Sequence, residues 1–285
     1  MKIAIASGKG GTGKSTVATN FAYLLSKNYK DICLLDCDVE EPNSHIFLKP
    51  YFNKTEKIYV ATPEVNQEKC IKCGKCAEVC QFNALAFVKD KVLIFPELCH
   101  GCGSCALACP VNAIGKKGRE VGVVEQGCGE GFGFIHGKLR IGEAMSPPLI
   151  KAVKKTVLKE NGEEYKIQIL DCPPGTSCPA IAAVYGTDYV FMVTEPTPFG
   201  LYDLNLGVEV IKKLGIPFGI IINRSGENDS LIENYAKTQK IEILAKIPDD
   251  RKIAECYSGG NLVLKVLPEY KEAFNPLVNI LKGLL

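Results

Sequence analysis

The chain has no run of apolar residues approaching the roughly 20 that cross a bilayer. It also has no excess of either charge. Thirty-four Lys and Arg stand against 32 Asp and Glu, a formal net charge of +2, so there is no strong field to draw nucleic acid or an anionic membrane. Neither is expected as a partner. The opening Met1-Lys2-Ile3-Ala4 lacks a signal-peptide pattern, which points to a reducing cytoplasmic setting and argues against a disulfide framework. What remains is 285 residues, 46% of them hydrophobic, enough to bury an α/β core with room for a smaller second unit.

Cysteine is abundant. Eight of the 14 fall in two runs, Cys70-x-x-Cys73-x-x-Cys76-x-x-x-Cys80 and Cys99-x-x-Cys102-x-x-Cys105-x-x-x-Cys109-Pro110. Each cysteine of the second run follows its counterpart by 29 residues, so the pattern is an internal repeat. Zinc sites take four ligands as two separated C-x-x-C pairs, and this is not that arrangement. The spacing resembles the bacterial ferredoxin run, in which three cysteines grip one cubane and the fourth crosses to the other. That assigns Cys70, Cys73, Cys76 and Cys109 to one [4Fe–4S] cluster, and Cys99, Cys102, Cys105 and Cys80 to a second. Gly74, Gly101 and Gly103 permit tight wrapping, and Ala77, Val79, Ala106 and Ala108 are small or apolar enough to lie against a cubane. Gln81 follows Cys80 where the pattern has proline; a turn constraint is lost but no ligand.

The N-terminal stretch carries a second chemistry. Lys2 to Ser7 reads as a buried strand entering Gly8-Lys9-Gly10-Gly11-Thr12-Gly13-Lys14-Ser15-Thr16, which fits G-x-x-x-x-G-K-[ST], and Val17 to Ser26 has helical periodicity. In such a loop backbone N–H groups point at phosphates, the helix N-terminus adds partial positive charge, Lys14 reaches the β/γ-phosphates and Ser15 offers a hydroxyl to Mg²⁺.

The additional Lys9 resembles the deviant Walker A motif of the MinD/ParA/Mrp superfamily, which also includes the nitrogenase iron protein. The resemblance implies a mostly parallel, doubly wound P-loop NTPase sheet and an ATP-dependent homodimer in which Lys9 acts on the partner's nucleotide. It implies roles at three strand ends. Asp36-Cys37-Asp38 matches the family's Asp-x-Asp, with Asp38 positioning or deprotonating the attacking water and Asp36 behind the direct ligands of Mg²⁺. Both aspartates remain open to the alternative of satisfying turn amides. Asp171-Cys172-Pro173-Pro174-Gly175 resembles Walker B and switch II, with Asp171 on Mg²⁺. Asn223 corresponds to the residue that reads the adenine edge, and Pro248 and Asp249 to the loop over the base.

Composition shifts between about Pro63 and Lys117, and Phe87 to Phe95 looks like a ferredoxin hairpin turning at Asp90. The expected organisation is an ATPase domain, 1–62 and 118–285, interrupted by an inserted two-cluster ferredoxin domain at 63–117. Core strands are expected at 120–125, 165–170, 189–194, 218–222 and 241–247, and helices at 148–159, 201–214 and 268–285. The last helix puts Phe274, Leu277, Leu281 and Leu284 on one face and reads as core packing, since Lys271 and Lys282 are few charges for gripping a membrane.

Six cysteines lie outside the runs. By resemblance to the nitrogenase iron protein, Cys128 in Gly127-Cys128-Gly129 and Cys178, seven residues beyond Asp171, would bind a third cubane shared across a homodimer. Cys33, Cys37, Cys172 and Cys256 read as structural. The cofactors expected are therefore ATP or ADP, Mg²⁺ and two [4Fe–4S] clusters, with the shared third left open against the alternative that Cys128 and Cys178 are buried or redox-idle thiols. The leading functional expectation is ATP hydrolysis coupled to electron transfer with a redox or metalloprotein partner. The alternative is an ATP-dependent assembly or carrier protein for clusters or metallocentres, although the C-terminal C-x-x-C usual in Mrp relatives is absent. A MinD- or ParA-type positioning role ranks third.

Overall fold

Short aliphatic stretches without polar alternation make strands buried on both faces, the signature of a parallel sheet between helices. The computed structural model, which describes residues 1–157 and 162–285, has this architecture. In chain order its elements are β1 (Lys2–Ala6), α1 (Lys14–Ser26), β2 (Ile32–Asp36), α2 (Ser44–Leu48), β3 (Tyr51–Val65), α3 (Lys75–Glu78), β4 (Leu85–Val88) and β5 (Lys91–Ile94). There follow α4 (Ser104–Leu107), β6 (Ile114–Gly129), β7 (Phe132–Leu139), α5 (Pro147–Lys155), β8 (Ile167–Asp171), α6 (Cys178–Val184), β9 (Tyr189–Thr194) and α7 (Pro198–Leu214). The chain closes with β10 (Phe218–Ser225), α8 (Ser230–Gln239), β11 (Ile243–Pro248), α9 (Arg251–Ser258), α10 (Val263–Val266) and α11 (Lys271–Leu284).

The main sheet runs β11-β10-β9-β1-β8-β2-β7-β6-β3, parallel from β11 to β7 and antiparallel at β7–β6 and β6–β3. Alternate residues of each strand feed opposite cores. Ile3 and Ile5 pack with Phe21 and Leu25 of α1 and with Phe274, Leu277 and Leu281 of α11. Ala4 and Ala6 face Leu149 and Val153 of α5 and Leu204 and Val208 of α7. The apolar face of α11 is thus taken up by its own sheet, and among the described residues no helix is long and apolar enough to cross a membrane. The helix expected over 148–159 ends at Lys155, and its last two residues lie outside the described ones.

β3 and β6 form a ribbon the sequence did not announce. Its upper half, Ile114 to Glu120 of β6, pairs with β3 alone and continues past the C-terminal end of β7, where Gly122 meets Leu139. The ladder runs through both expected boundaries, at 62/63 and 117/118, and closes at Val65↔Ile114. Arg119 of β6 pairs with Glu143 at the ribbon's base. Residues 66–113 at its tip have their own hairpin, β4–β5, turning through Lys89 and Asp90, both at positive φ (46° and 61°) as a type I′ turn requires. They also have their own small core of Cys76, Ala84, Leu85, Cys99 and Cys105.

Candidate functional site

The parallel strands end together, so the loops after β1, β2, β8 and β10 meet at one edge. Gly13 adopts φ 87°, and a Cβ there would lie 2.1 Å from Asn223 Nδ2, so only glycine fits the loop between β1 and α1. No side chain caps the first turn of α1, which leaves its amides for an anion. Gly8, Gly10, Gly11, Thr12, Ser15 and Thr16 complete the loop and first turn; Thr12 Oγ1 is buried with no hydrogen-bond partner.

Lys14 Nζ lies 3.9 Å from Asp38 and 3.7 Å from Asp171 Oδ1. Burial opposes its charge, but Asp171 and Asp38 outweigh burial and hold its pKa above the ordinary lysine value. Burial pushes Asp38 up to about 6, against the pull of Lys14 and with help from Asp171. Asp36 behaves differently. Its Oδ1 accepts from the Asp38 amide at 3.1 Å, and its Oδ2 accepts from the amides of Asn43 (3.1 Å) and Ser44 (3.0 Å). In this arrangement Asp36 serves the turn amides. Burial and the neighbouring Asp171 raise its pKa well above the ordinary carboxylate value. Asp171 Oδ2 accepts from Ser44 Oγ at 2.9 Å, while Oδ1 is buried without a hydrogen bond. An orphaned carboxylate oxygen facing Lys14, beside an uncapped helix N-terminus, suits a magnesium–phosphate group.

Lys9 folds back onto its own chain. Its Nζ is 2.6 Å from Glu195 Oε1, and Arg224 holds Glu195 Oε2 at 2.7 Å. Burial raises Glu195, but Lys9 and Arg224 outweigh it and keep the carboxyl below its usual range. Asn223 Nδ2 donates to the Thr12 carbonyl at 2.8 Å, so the amide braces the phosphate loop. Pro248 closes β11 opposite Ser225, and the Asp249 amide donates to the Ser225 carbonyl at 3.0 Å.

Below the ribbon tip two cavities divide the repeated cysteines crosswise. One is lined by Cys70, Cys73, Cys76 and Cys109. The other is lined by Cys80, Cys99, Cys102 and Cys105. The repeat is conformational too: Lys72 and Gly101, Gly74 and Gly103, and Asn83 and Asn112 are matched pairs with positive φ. The Ala84 amide donates to Cys80 Sγ at 3.3 Å and the Ala113 amide to Cys109 Sγ at 3.1 Å, again equivalent positions. Burial raises the Cys76 and Cys105 thiols, whereas the Ser104 hydroxyl lowers Cys102 and the Ala113 amide lowers Cys109. Among the described residues no three such groups converge on a single ion. A cubane presents its irons at its corners, so thiolates that suit one line a cavity rather than meet at a point.

Comparison with known proteins gives a nucleotide-binding family. The CobQ/CobB/MinD/ParA nucleotide binding domain matches residues 3–263. The chain belongs to this family. An uncharacterized protein of Methanocaldococcus jannaschii is 35% identical over 269 residues, covering 93% of this chain and 92% of that one. An iron-sulfur cluster carrier protein of Pyrococcus horikoshii is 25% identical, covering 91% and 77%. Among solved structures, the septum site-determining protein MinD of Pyrococcus horikoshii, complexed with Mg-ADP, has the same fold, with a TM-score of 0.60, 22% identity and coverage of 99% and 96%.

Within the family fold, the expected bridging pair is not assembled. Cys128 pairs with Gly133 at the N-terminal end of the parallel strands, whereas Cys178 opens α6 beyond Asp171 at the C-terminal end. Cys128 sits about three residues below the level of Asp171, roughly 10 Å along the strands and three strands away. Within one chain the two thiols thus stand at opposite ends of the parallel strands, and the expectation of a shared third cluster gains no support from their placement. The glycines around Cys128 mark close contact, not a loop. A Cβ on Gly127 would lie 2.3 Å from the Tyr51 carbonyl, and one on Gly129 2.3 Å from the Phe132 ring. Conversely, Ser44 and Glu195 are site residues that sequence reasoning missed. Ser44 meets Asp171 across 127 positions and has no local signature, and Glu195 reads only as part of a strand-breaking Glu-Pro-Thr-Pro.

Proposed function

We propose that this family member is an ATP-hydrolysing iron–sulfur protein that assembles or carries clusters or metallocentres for a metalloprotein partner. The observation that carries the reading is the crosswise sorting of eight cysteines into two four-thiol cavities on the chain that bears the phosphate loop. On this reading residues 66–113 and the flanking strand ends form a two-cluster ferredoxin unit. The relative named as an iron-sulfur cluster carrier supports carriage over other uses. A bound [4Fe–4S] cluster would supply one-electron chemistry or transferable iron and sulfide.

The chain's own residues divide the remaining work. Amides from Gly8 to Gly13, with Lys14, Ser15 and Thr16, bind phosphate; Ser15 and Asp171 face Mg²⁺; Asp38 orients water. Asn223, Pro248 and Asp249 border the base. Lys9 acts across a homodimer, and to do so it must leave Glu195, which then keeps Arg224 as its counter-charge. Electron transfer is the second reading, favoured by the amide bonds to Cys80 and Cys109, which suit resident clusters.

Anaerobic purification with iron counting tests the common ground, with about eight irons per chain expected for two cubanes. Incubation with an apo-ferredoxin acceptor then separates the readings. Iron leaving faster with MgATP supports carriage; iron retained while MgATP shifts the EPR spectrum supports electron transfer. Protein that takes up no iron refutes both.

A further inference from the structure

A line of buried and half-buried contacts leaves the nucleotide site and reaches the strands that carry the cysteines. It begins at Ser44, which is fully buried. The Ser44 hydroxyl fixes Asp171 Oδ2 and its amide fixes Asp36 Oδ2, so the start of α2 is tied to both carboxylates. The next residue, His45, sets its ring edge-on to His136 of β7, with centroids 5.2 Å apart at 72°. His136 is itself fully buried. Its Nε2 lies 2.8 Å from Glu125 of β6, and its ring stacks on Phe52 of β3 at 4.9 Å and 21°. Burial takes its pKa down to about 4 despite Glu125, so at neutral pH the ring is uncharged and packs as an aromatic. β3 and β6 are the two strands that hold residues 66–113 between them.

We propose that α2 and the His45–His136–Phe52 stack transmit occupancy of the magnesium position at Asp171 to the β3–β6 ribbon, with Ser44 as the positioning residue and His136 as the pivot. This rests on the reading of Asp171 as the carboxylate that faces Mg²⁺. A cation at Oδ1 changes the orientation Asp171 prefers, and Ser44, hydrogen-bonded to the other oxygen, follows it. α2 is one short turn of helix ended by Lys49 at φ 47°, so it moves as a unit. Packed interiors resist continuous deformation, so the displacement passes to the rings in contact. Besides His45, and Phe134 of its own strand, His136 touches two residues of the ribbon, Phe52 and Glu125. Contact with β3 through Phe52 and with β6 through Glu125 therefore tilts the two strands together and leaves their mutual register intact.

The test is hydrogen–deuterium exchange on the full chain, purified anaerobically, with and without Mg²⁺ and the non-hydrolysable analogue AMPPNP. In the wild type, amides of Tyr51–Val65 and Ile114–Gly129 are expected to change exchange rate by about threefold or more on binding. His136→Gln, which keeps a partner for Glu125, and Phe52→Leu, at a half-buried position, are expected to bind the nucleotide with unchanged affinity and lose the ribbon response. Ser44→Ala is expected to raise the Mg²⁺ concentration for half-saturation roughly tenfold, and Ser44→Thr to restore it. A ribbon indifferent to nucleotide in the wild type overturns the proposal, as does a full response in both stack variants. If His136→Gln fails to fold, Phe52→Leu decides alone. Because exchange requires no cluster, a ribbon response in iron-free protein upholds the relay even where the iron–sulfur reading fails, and absence of nucleotide binding sinks both.

Discussion

Asp38 is held at a cost that its proposed role in orienting water would explain, and the cost is measurable. Its carboxyl sits at about 6 in the folded chain against an ordinary 3.8, because burial and Asp171 disfavour the charge more than Lys14 favours it. A raised carboxyl pKa means the folded state binds more protons than the unfolded one between those two values. Stability is therefore fully present below about 3.8 and is lost as pH rises through about 6. The loss approaches about 3 kcal/mol at one pKa unit per 1.36 kcal/mol. Asp38→Asn removes the charge at nearly constant shape. At pH 8 the nucleotide-free variant is expected to gain about 3 kcal/mol, or about 5 °C in Tm for a chain of this length, while ATP hydrolysis collapses. At pH 5 the gain should fall to about half, and near pH 4 it should almost vanish. Thermal or urea unfolding across this range, without nucleotide, measures it. An Asp38→Asn chain no more stable than the wild type at pH 8, or one equally stabilised at pH 4, would refute the reasoning.

Two further outcomes follow from the proposed function. Lys9→Ala should lose hydrolysis roughly 10³-fold, and mixing it with inactive Asp38→Asn chains should recover about a quarter of wild-type activity, since half the dimers then hold one complete site; no recovery places Lys9 in its own site. Cys109→Ser should alter the same EPR signal as Cys73→Ser, and Cys80→Ser the same signal as Cys102→Ser, with iron falling from about eight to about four per chain. A signal shared by Cys80 and Cys73 would break the crosswise assignment.

Much of the site could be read from sequence because its parts are local. The phosphate loop, the strand-end aspartates and the cysteine runs are short motifs whose spacing carries their chemistry, and aliphatic stretches such as Ile32–Asp36 bring their ends to one edge. The ribbon could not be read that way. Lys54, Glu56 and Lys57 on β3 and Lys116 and Lys117 on β6 are exposed, so neither strand there shows the alternation that a buried face imposes. Cys128 misled for a related reason: glycine beside cysteine suggests a loop, yet Gly127 and Gly129 make room for a backbone and a ring in the sheet. Asp38 and Asp36 carry the same letter two positions apart, and only the fold separates a carboxylate facing Lys14 from one consumed by amides.

The upper half of the ribbon, Ile114 to Glu120 with its β3 partners, spans seven residues paired on one side only, roughly 23 Å of two-stranded ladder. Such a ladder is anisotropic. Sliding one strand along the other breaks every hydrogen bond at once, whereas bending and twisting out of the plane break none. The cysteine-bearing tip is therefore fixed in its reach and free in its tilt. Tilting of so stiff a shaft would carry the tip through an arc beyond the C-terminal edge of the parallel strands, the edge at which the phosphate loop lies.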